Sequence, residues 1–229
     1  MTKREENIIT MLDIATSAGS FITFEGGEGS GKSTQSKLLV AAMQASDLNT
    51  IHTREPGGTE GAEAIRALLV QGSKDRWTRD TELLLHFAAR SEHVTRLVIP
   101  KRLAGTHVVC DRFTDSTLAY QGYGHGIAPE RIRQLQRLML EGFSPDLTFM
   151  LDINVKEGIT RAGKRGDDEN RYESMALEFH ERVRAGYLAI AKKEPKRCIV
   201  LDATQSIEDL RDEIFAAVNK RFGWSITPQ

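Results

Sequence analysis

The chain has 229 residues, with 31 basic and 32 acidic side chains and a formal net charge of −1. That balance provides no overall positive field to hold a nucleic-acid backbone, and no apolar run approaches the length of a membrane span, so neither partner class is expected. The length suits one α/β domain with a sizeable core and a small mobile insert.

The first 20 residues mix Ile8, Ile9, Met11 and Leu12 with Glu5, Glu6 and Asp13. They lack the apolar centre of a signal peptide and the acid-poor make-up of a transit peptide, and are expected to be a poorly ordered extension to a domain over 21–229. Phe21-Ile22-Thr23-Phe24-Glu25 then reads as a short strand. It runs into Gly26-Gly27-Glu28-Gly29-Ser30-Gly31-Lys32-Ser33-Thr34, which fits the pattern G-x-x-x-x-G-K-[ST]. Glycine-rich backbone can wrap a phosphate because no side chain blocks close approach of the amides. Lys32 then reaches the outer phosphates, and the Ser33 hydroxyl can hold Mg²⁺. Leu38, Leu39, Ala42 and Met43 follow at helical spacing, so a helix is expected to aim its positive end at the bound nucleoside triphosphate.

Further strand-like runs lie at 50–53, 107–110, 147–151 and 198–201, with helical patterns between them. Buried β-rich runs alternating with helices predict an α/β fold of the P-loop NTPase type. It has three layers, a five-stranded parallel sheet with helices on both faces, and its ligands lie at the carboxyl ends of the strands. Residues of chemical interest do follow strands: Arg54-Glu55-Pro56-Gly57-Gly58 the second, Asp111-Arg112 the third and Asp202-Ala203-Thr204 the fifth.

A long helix is expected over 81–103, where Arg90 interrupts the apolar stripe of Leu83, Phe87, Val94 and Leu97. A charge on a buried face needs a partner, either a nearby acid such as Glu82 or Asp80, or a ligand. Asp111 ends the apolar run Val108-Val109-Cys110, the usual place for a carboxylate that steadies Mg²⁺ in phosphate-loop proteins. Arg112 beside it is placed to bind a second phosphate and neutralise charge during transfer.

The stretch 161–171 holds Arg161, Lys164, Arg165 and Arg171, with two glycines and no apolar anchor. By composition it is a solvated turn; by position it can overhang the triphosphate as a mobile lid that excludes water. A helix over 173–193, with Met175, Phe179, Val183, Tyr187 and Ile190 as its stripe, is read as core. Ser206 and Asp209 suggest a capping box before a last helix that buries Ile207, Leu210, Ile214 and Val218. Cys110 and Cys198 sit in apolar runs and read as buried thiols in a reducing cytoplasm.

Three segments together carry a resemblance to bacterial thymidylate kinases: Phe24-Glu25-Gly26-Gly27-Glu28-Gly29-Ser30-Gly31-Lys32-Ser33-Thr34, Thr53-Arg54-Glu55-Pro56-Gly57-Gly58-Thr59, and Val109-Cys110-Asp111-Arg112-Phe113-Thr114-Asp115-Ser116-Thr117-Leu118-Ala119-Tyr120-Gln121. The resemblance covers nearly everything after the N-terminal extension. It implies transfer of the γ-phosphoryl of ATP to dTMP, giving dTDP, with Mg²⁺ and in a homodimer. It implies that Glu28 approaches the sugar 3′-hydroxyl of dTMP, that Arg112 with Arg66 and Arg54 binds its phosphate, and that Arg90 and Gln121 read the thymine edge beside Thr117. It places the adenine near Ala203, Thr204 and Gln205. No arginine stands among Gly27 to Ser30, as in the form of the family whose lid supplies the catalytic positive charge; Arg165 and Arg161 are the candidates, with Arg171 third. One departure is His86, four residues before Arg90, where the family usually stacks a phenylalanine on the base. Other nucleotide or nucleoside kinases share the same loop. A nucleotide switch is the remoter alternative, since the guanine-reading Asn-Lys-x-Asp motif is missing after the strands.

Overall fold

The computed structural model describes residues 19–73, 75–163, 172 and 175–228. Most of the expected lid, Arg165 and Arg171 included, and nearly all of the N-terminal extension lie outside the described residues. The five apolar runs become β1 (Phe21–Gly26), β2 (Thr50–Arg54), β3 (His107–Asp111), β4 (Leu147–Asp152) and β5 (Cys198–Asp202), all paired in parallel in the order β2-β3-β1-β4-β5. Alternate residues of these strands serve apolar clusters on the two faces of the sheet. Ile22, Phe24, Val109 and Phe149 pack with Leu39, Met43, Ile214 and Val218 on one face. Phe21, Val108 and Cys110 face Val94, Val98 and Phe113 on the other, while Met150 joins Phe179, Val183 and Tyr187. The central strands β1, β3 and β4 are buried on both faces, which is why their runs read as near-continuous apolar sequence, whereas edge strands β2 and β5 are partly exposed. Each large side chain so buried contributes about 1.5–3 kcal/mol.

Helices α1 (Lys32–Ala45) and α9 (Ile207–Phe222) cover the first face. The expected helix over 81–103 is interrupted: α3 (Arg79–His93) passes through a π-helical segment (Val94–Val98) into α4 (Ile99–Leu103). Pro100 has no amide to offer the preceding turn, and the ladder widens just before it. Helix α2 (Glu60–Val70) precedes these; α5 (Thr114–Thr117), a second π-helical segment (Leu118–Gly124) and α6 (Pro129–Leu140) follow β3. Beyond β4 come α7 (Val155–Ala162) and α8 (Leu177–Lys193).

Two further expectations need correction. Helix α8 starts at Leu177, not 173, so Met175 packs on the core from outside the helix. The stripe of α9 omits Ile207, which is 54% exposed in the first turn, although the Ser206 hydroxyl accepts the Asp209 amide at 3.0 Å as a capping box requires. Both cysteines are buried and free. Among the described residues no helix is long and apolar enough to cross a membrane.

Candidate active site

Strand order decides what meets at the site. β1 lies between β3 and β4, so the glycine-rich loop after β1 neighbours the turn after β3, with Phe24 in register with Asp111. The loop enters α1 through Gly31, which has φ 88 and serves as the helix N-cap. Gly29, at φ 67, lies so close to the Gly158 carbonyl that a Cβ there would collide with it. Lys32 folds over the loop and donates from Nζ to the Gly27 carbonyl at 2.7 Å. Burial and the neighbouring Arg112 bring its ammonium down to about 8, leaving it charged at neutral pH. The Ser33 hydroxyl donates to the Asp111 carboxylate. Two hard oxygen donors joined at the mouth of a phosphate loop suit Mg²⁺, which keeps most of its own waters and needs few protein ligands.

Arg112 is the hub. Its Nη1 donates to the Gly26 carbonyl (3.1 Å), the Ser116 hydroxyl (3.2 Å) and the Tyr187 hydroxyl (3.2 Å). Its Nη2 donates to Glu28 Oε1 (3.0 Å) and the Tyr120 hydroxyl (3.3 Å). Burial alone would raise the Glu28 carboxyl, but Arg112 and Lys32 beside it bring it down to about 2, so it stays ionised. Behind this hub sits Glu25, fully buried, accepting the Phe113 amide at 2.7 Å and the Ser116 hydroxyl at 2.5 Å.

Beside the loop lies a cleft of about 270 Å³ that opens onto Lys32 and Ser33. Glu28, Arg112, Thr117 and Gln121 line it, together with Arg54, Arg66, His86 and Arg90. Every residue proposed from the sequence for dTMP therefore faces one space. Arg54 is half exposed and pairs with Glu63 at 3.2 Å, while Arg66 donates to the Pro56 carbonyl at 2.7 Å. Arg90 has a different partner from the two acids expected. Its Nε donates to Glu55 at 2.6 Å, its Nη1 to Thr117 at 2.9 Å and its Nη2 to the Phe113 carbonyl at 3.0 Å. Glu82 instead accepts from Gln121, and Asp80 pairs with Arg131 on the surface. His86 lies on the cleft wall, whereas its neighbour Phe87 is buried in the core.

Ala203, Thr204 and Gln205 follow edge strand β5, across β4 from the loop and outside this cleft. Arg161 reaches this turn: it donates to the Ala203 carbonyl at 2.8 Å and to Glu157 at 2.6 Å. Glu25, Tyr187, Tyr172 and Gly158 were not singled out for the site by sequence. A carboxylate inside an apolar strand is the signal for Glu25. For Gly158 it is a glycine in mid-helix, where a Cβ would run into the Glu28 carbonyl.

A family model described as thymidylate kinase matches residues 24–214. The chain is 49% identical over 205 residues to a thymidylate kinase of Caulobacter vibrioides, covering 90% of this chain and 98% of that one. It is 44% identical over 214 residues to a thymidylate kinase of Rhodopseudomonas palustris, covering 92% and 93% respectively. A crystal structure of thymidylate kinase from Ehrlichia chaffeensis superposes with a TM-score of 0.70 at 38% identity, over 88% of this chain and 99% of the other.

Proposed function

The chain belongs to the thymidylate kinase family, and on that premise we propose how its residues divide the reaction between two nucleotides in one cleft. The reaction itself is phosphoryl transfer from ATP to dTMP, giving dTDP.

ATP rests on the amides of the loop from Gly26 to Thr34, with its adenine against the backbone of Ala203, Thr204 and Gln205. In the facing cleft Arg112, assisted by Arg66 and Arg54, grips the dTMP phosphate, and the ionised Glu28 accepts the 3′-hydroxyl. Arg90 uses three of its five N–H groups on protein, which leaves two for the base edge beside Thr117 and Gln121. Ser33 and Asp111 would hold Mg²⁺, which when bound draws charge off the outer phosphate oxygens of the donor. The acceptor phosphate is already anionic, so no general base is needed; displacement is in line, and the protein contributes position and positive charge. The observation that carries this reading is the convergence of all eight proposed acceptor residues on one cleft opening onto Lys32.

Further positive charge at the transferring group is assigned to Arg165 and Arg161 of the lid, because Gly27 to Ser30 include no arginine. Arg161 has to leave the Ala203 carbonyl to take part. We expect Arg165→Ala to lower kcat more than it weakens dTMP binding; the reverse ranking would move that charge elsewhere. The same reading has the chain acting in the cytoplasm as a homodimer, and sedimentation checks the dimer. An acceptor panel of dTMP, dUMP, UMP, AMP and thymidine with ATP tests the whole: dTMP should be phosphorylated fastest, and preference for AMP or thymidine would overturn it.

A further inference from the structure

The wall that faces the base is governed by a carboxylate that does not line the cleft. Glu82 is 3% exposed and stands one turn before His86 and two before Arg90 on α3. Its Oε1 accepts the Gln121 side-chain amide at 2.9 Å and the Tyr172 hydroxyl at 3.0 Å, and His125 Nε2 lies 3.5 Å from the same oxygen. Nitrogen and hydroxyl groups converging on one carboxylate oxygen suit an acceptor that has nothing to donate.

This has two consequences for the cleft. A side-chain amide can present either end, and its orientation is set by its surroundings. Opposite Glu82, Gln121 must offer nitrogen, since the reverse would set two oxygens face to face. Its carbonyl oxygen is thereby turned away from Glu82, on a residue that itself lines the cleft. The second consequence reaches His86. The Tyr172 proton is used on Glu82, so the Tyr172 oxygen is the acceptor for His86 Nε2 at 3.0 Å. That fixes Nε2 as protonated and holds the imidazole against the wall.

We propose that Glu82 is a specificity-positioning residue: through Gln121 it fixes an acceptor facing the N3 edge of the base, and through Tyr172 it fixes the tilt of His86. The inference rests on the assignment of the cleft to dTMP. Thymine and uracil carry N3–H and satisfy that acceptor. Cytosine carries an N3 lone pair there, and its nucleotide is refused because two acceptors would be buried against each other.

The test compares dTMP and dCMP as acceptors for the full-length enzyme and for Glu82→Gln and Tyr172→Phe. In Glu82→Gln the amide of Gln121 is free to turn. KM for dTMP should rise about tenfold, the worth of one hydrogen bond, and the preference for dTMP over dCMP should fall at least as far, with KM for ATP within about twofold of the parent. Tyr172→Phe leaves the Glu82–Gln121 bond in place, so it should raise KM for dTMP several-fold without changing the dTMP to dCMP ratio. An unchanged ratio in a folded Glu82→Gln, or an unaltered KM in Tyr172→Phe, overturns the proposal while leaving the kinase assignment standing. Failure of the parent enzyme to use dTMP sinks that assignment instead. Should Glu82→Gln not fold, N3-methyl-dTMP offered to the parent replaces it: loss of use relative to dTMP supports the acceptor at N3, and equal use refutes it.

Discussion

The Glu25 carboxylate takes the backbone amide of Phe113 at 2.7 Å, and in doing so it clamps the preceding residue, Arg112, in left-handed backbone at φ 71. A residue with a Cβ pays about 1 kcal/mol or more for that conformation. The turn keeps the cost because it directs the guanidinium back to the Gly26 carbonyl and Glu28, at the junction of the two proposed nucleotide positions.

Two substitutions at Arg112 separate backbone from chemistry. Arg112→Gly should be about 1 kcal/mol more stable than Arg112→Ala in urea unfolding, because glycine adopts the conformation without strain. Both should lose on the order of 10²–10³ in kcat/KM for dTMP, the worth of a charge-assisted phosphate contact, while keeping ATP binding. An unchanged kcat/KM for dTMP in either variant would remove Arg112 from the acceptor site.

Glu25 also gives folding a pH dependence. Burial, with the Asp115 carboxylate close by, raises its carboxyl from 4.5 to about 7. Between those values the native state binds a proton that the unfolded chain has released, so this contribution is full below 4.5 and is lost as pH rises through 7. Glu28 has the opposite sign: held at about 2, it adds stability above 4.5 that is lost as pH falls towards 2. Glu25→Gln keeps an oxygen for the Phe113 amide and removes the titration. Its unfolding free energy should therefore vary less between pH 4.5 and 7 than that of the parent, and parallel curves would rule the titration out.

The hydrogen bond from Ser33 to Asp111 marks the proposed Mg²⁺ position. Asp111→Asn retains a hydrogen-bond acceptor but not the charge. The Mg²⁺ concentration for half-maximal rate should rise by about tenfold or more, with the acceptor KM little changed. A Mg²⁺ titration superimposable on that of the parent would place the cation away from Asp111.

The parts of this site that could be read from sequence are those whose chemistry is local. The glycine loop, the Asp111-Arg112 pair and the five apolar runs announce themselves within a few residues, and the spacing of His86 and Arg90 puts both on one helix face. Buried carboxylates were harder, because each answers a partner distant in sequence: Glu55 meets Arg90 across 35 residues, Glu82 meets Gln121 across 39, and Glu25 meets the Phe113 amide across 88. Glu82 and Asp80 stand two or more turns before Arg90 on the same helix, whereas the sheet brings Glu55, just past the end of β2, to 2.6 Å from its guanidinium. The π-helical segments do not show in the apolar periodicity, and Pro100, just past Val94–Val98, is a local signal for the first of them alone.

Arg90 and Glu55 form an ion pair at 2.6 Å with both side chains almost fully buried, and His93 completes it from Nδ1 at 2.9 Å. Burial would raise the Glu55 carboxyl, but Arg90 and His93 hold it below its ordinary value. Removing one partner strands the other charge in a low-dielectric wall, at a cost of about 3–5 kcal/mol. Glu55→Ala and Arg90→Met should each destabilise by roughly that amount, whereas the double variant should cost clearly less than the sum, because neither charge is then left alone. Strict additivity in urea unfolding would show that the pair does not act as a unit. Glu55→Ala should also weaken dTMP binding while sparing ATP, since Arg90 no longer has the carboxylate that fixes its plane beside Thr117.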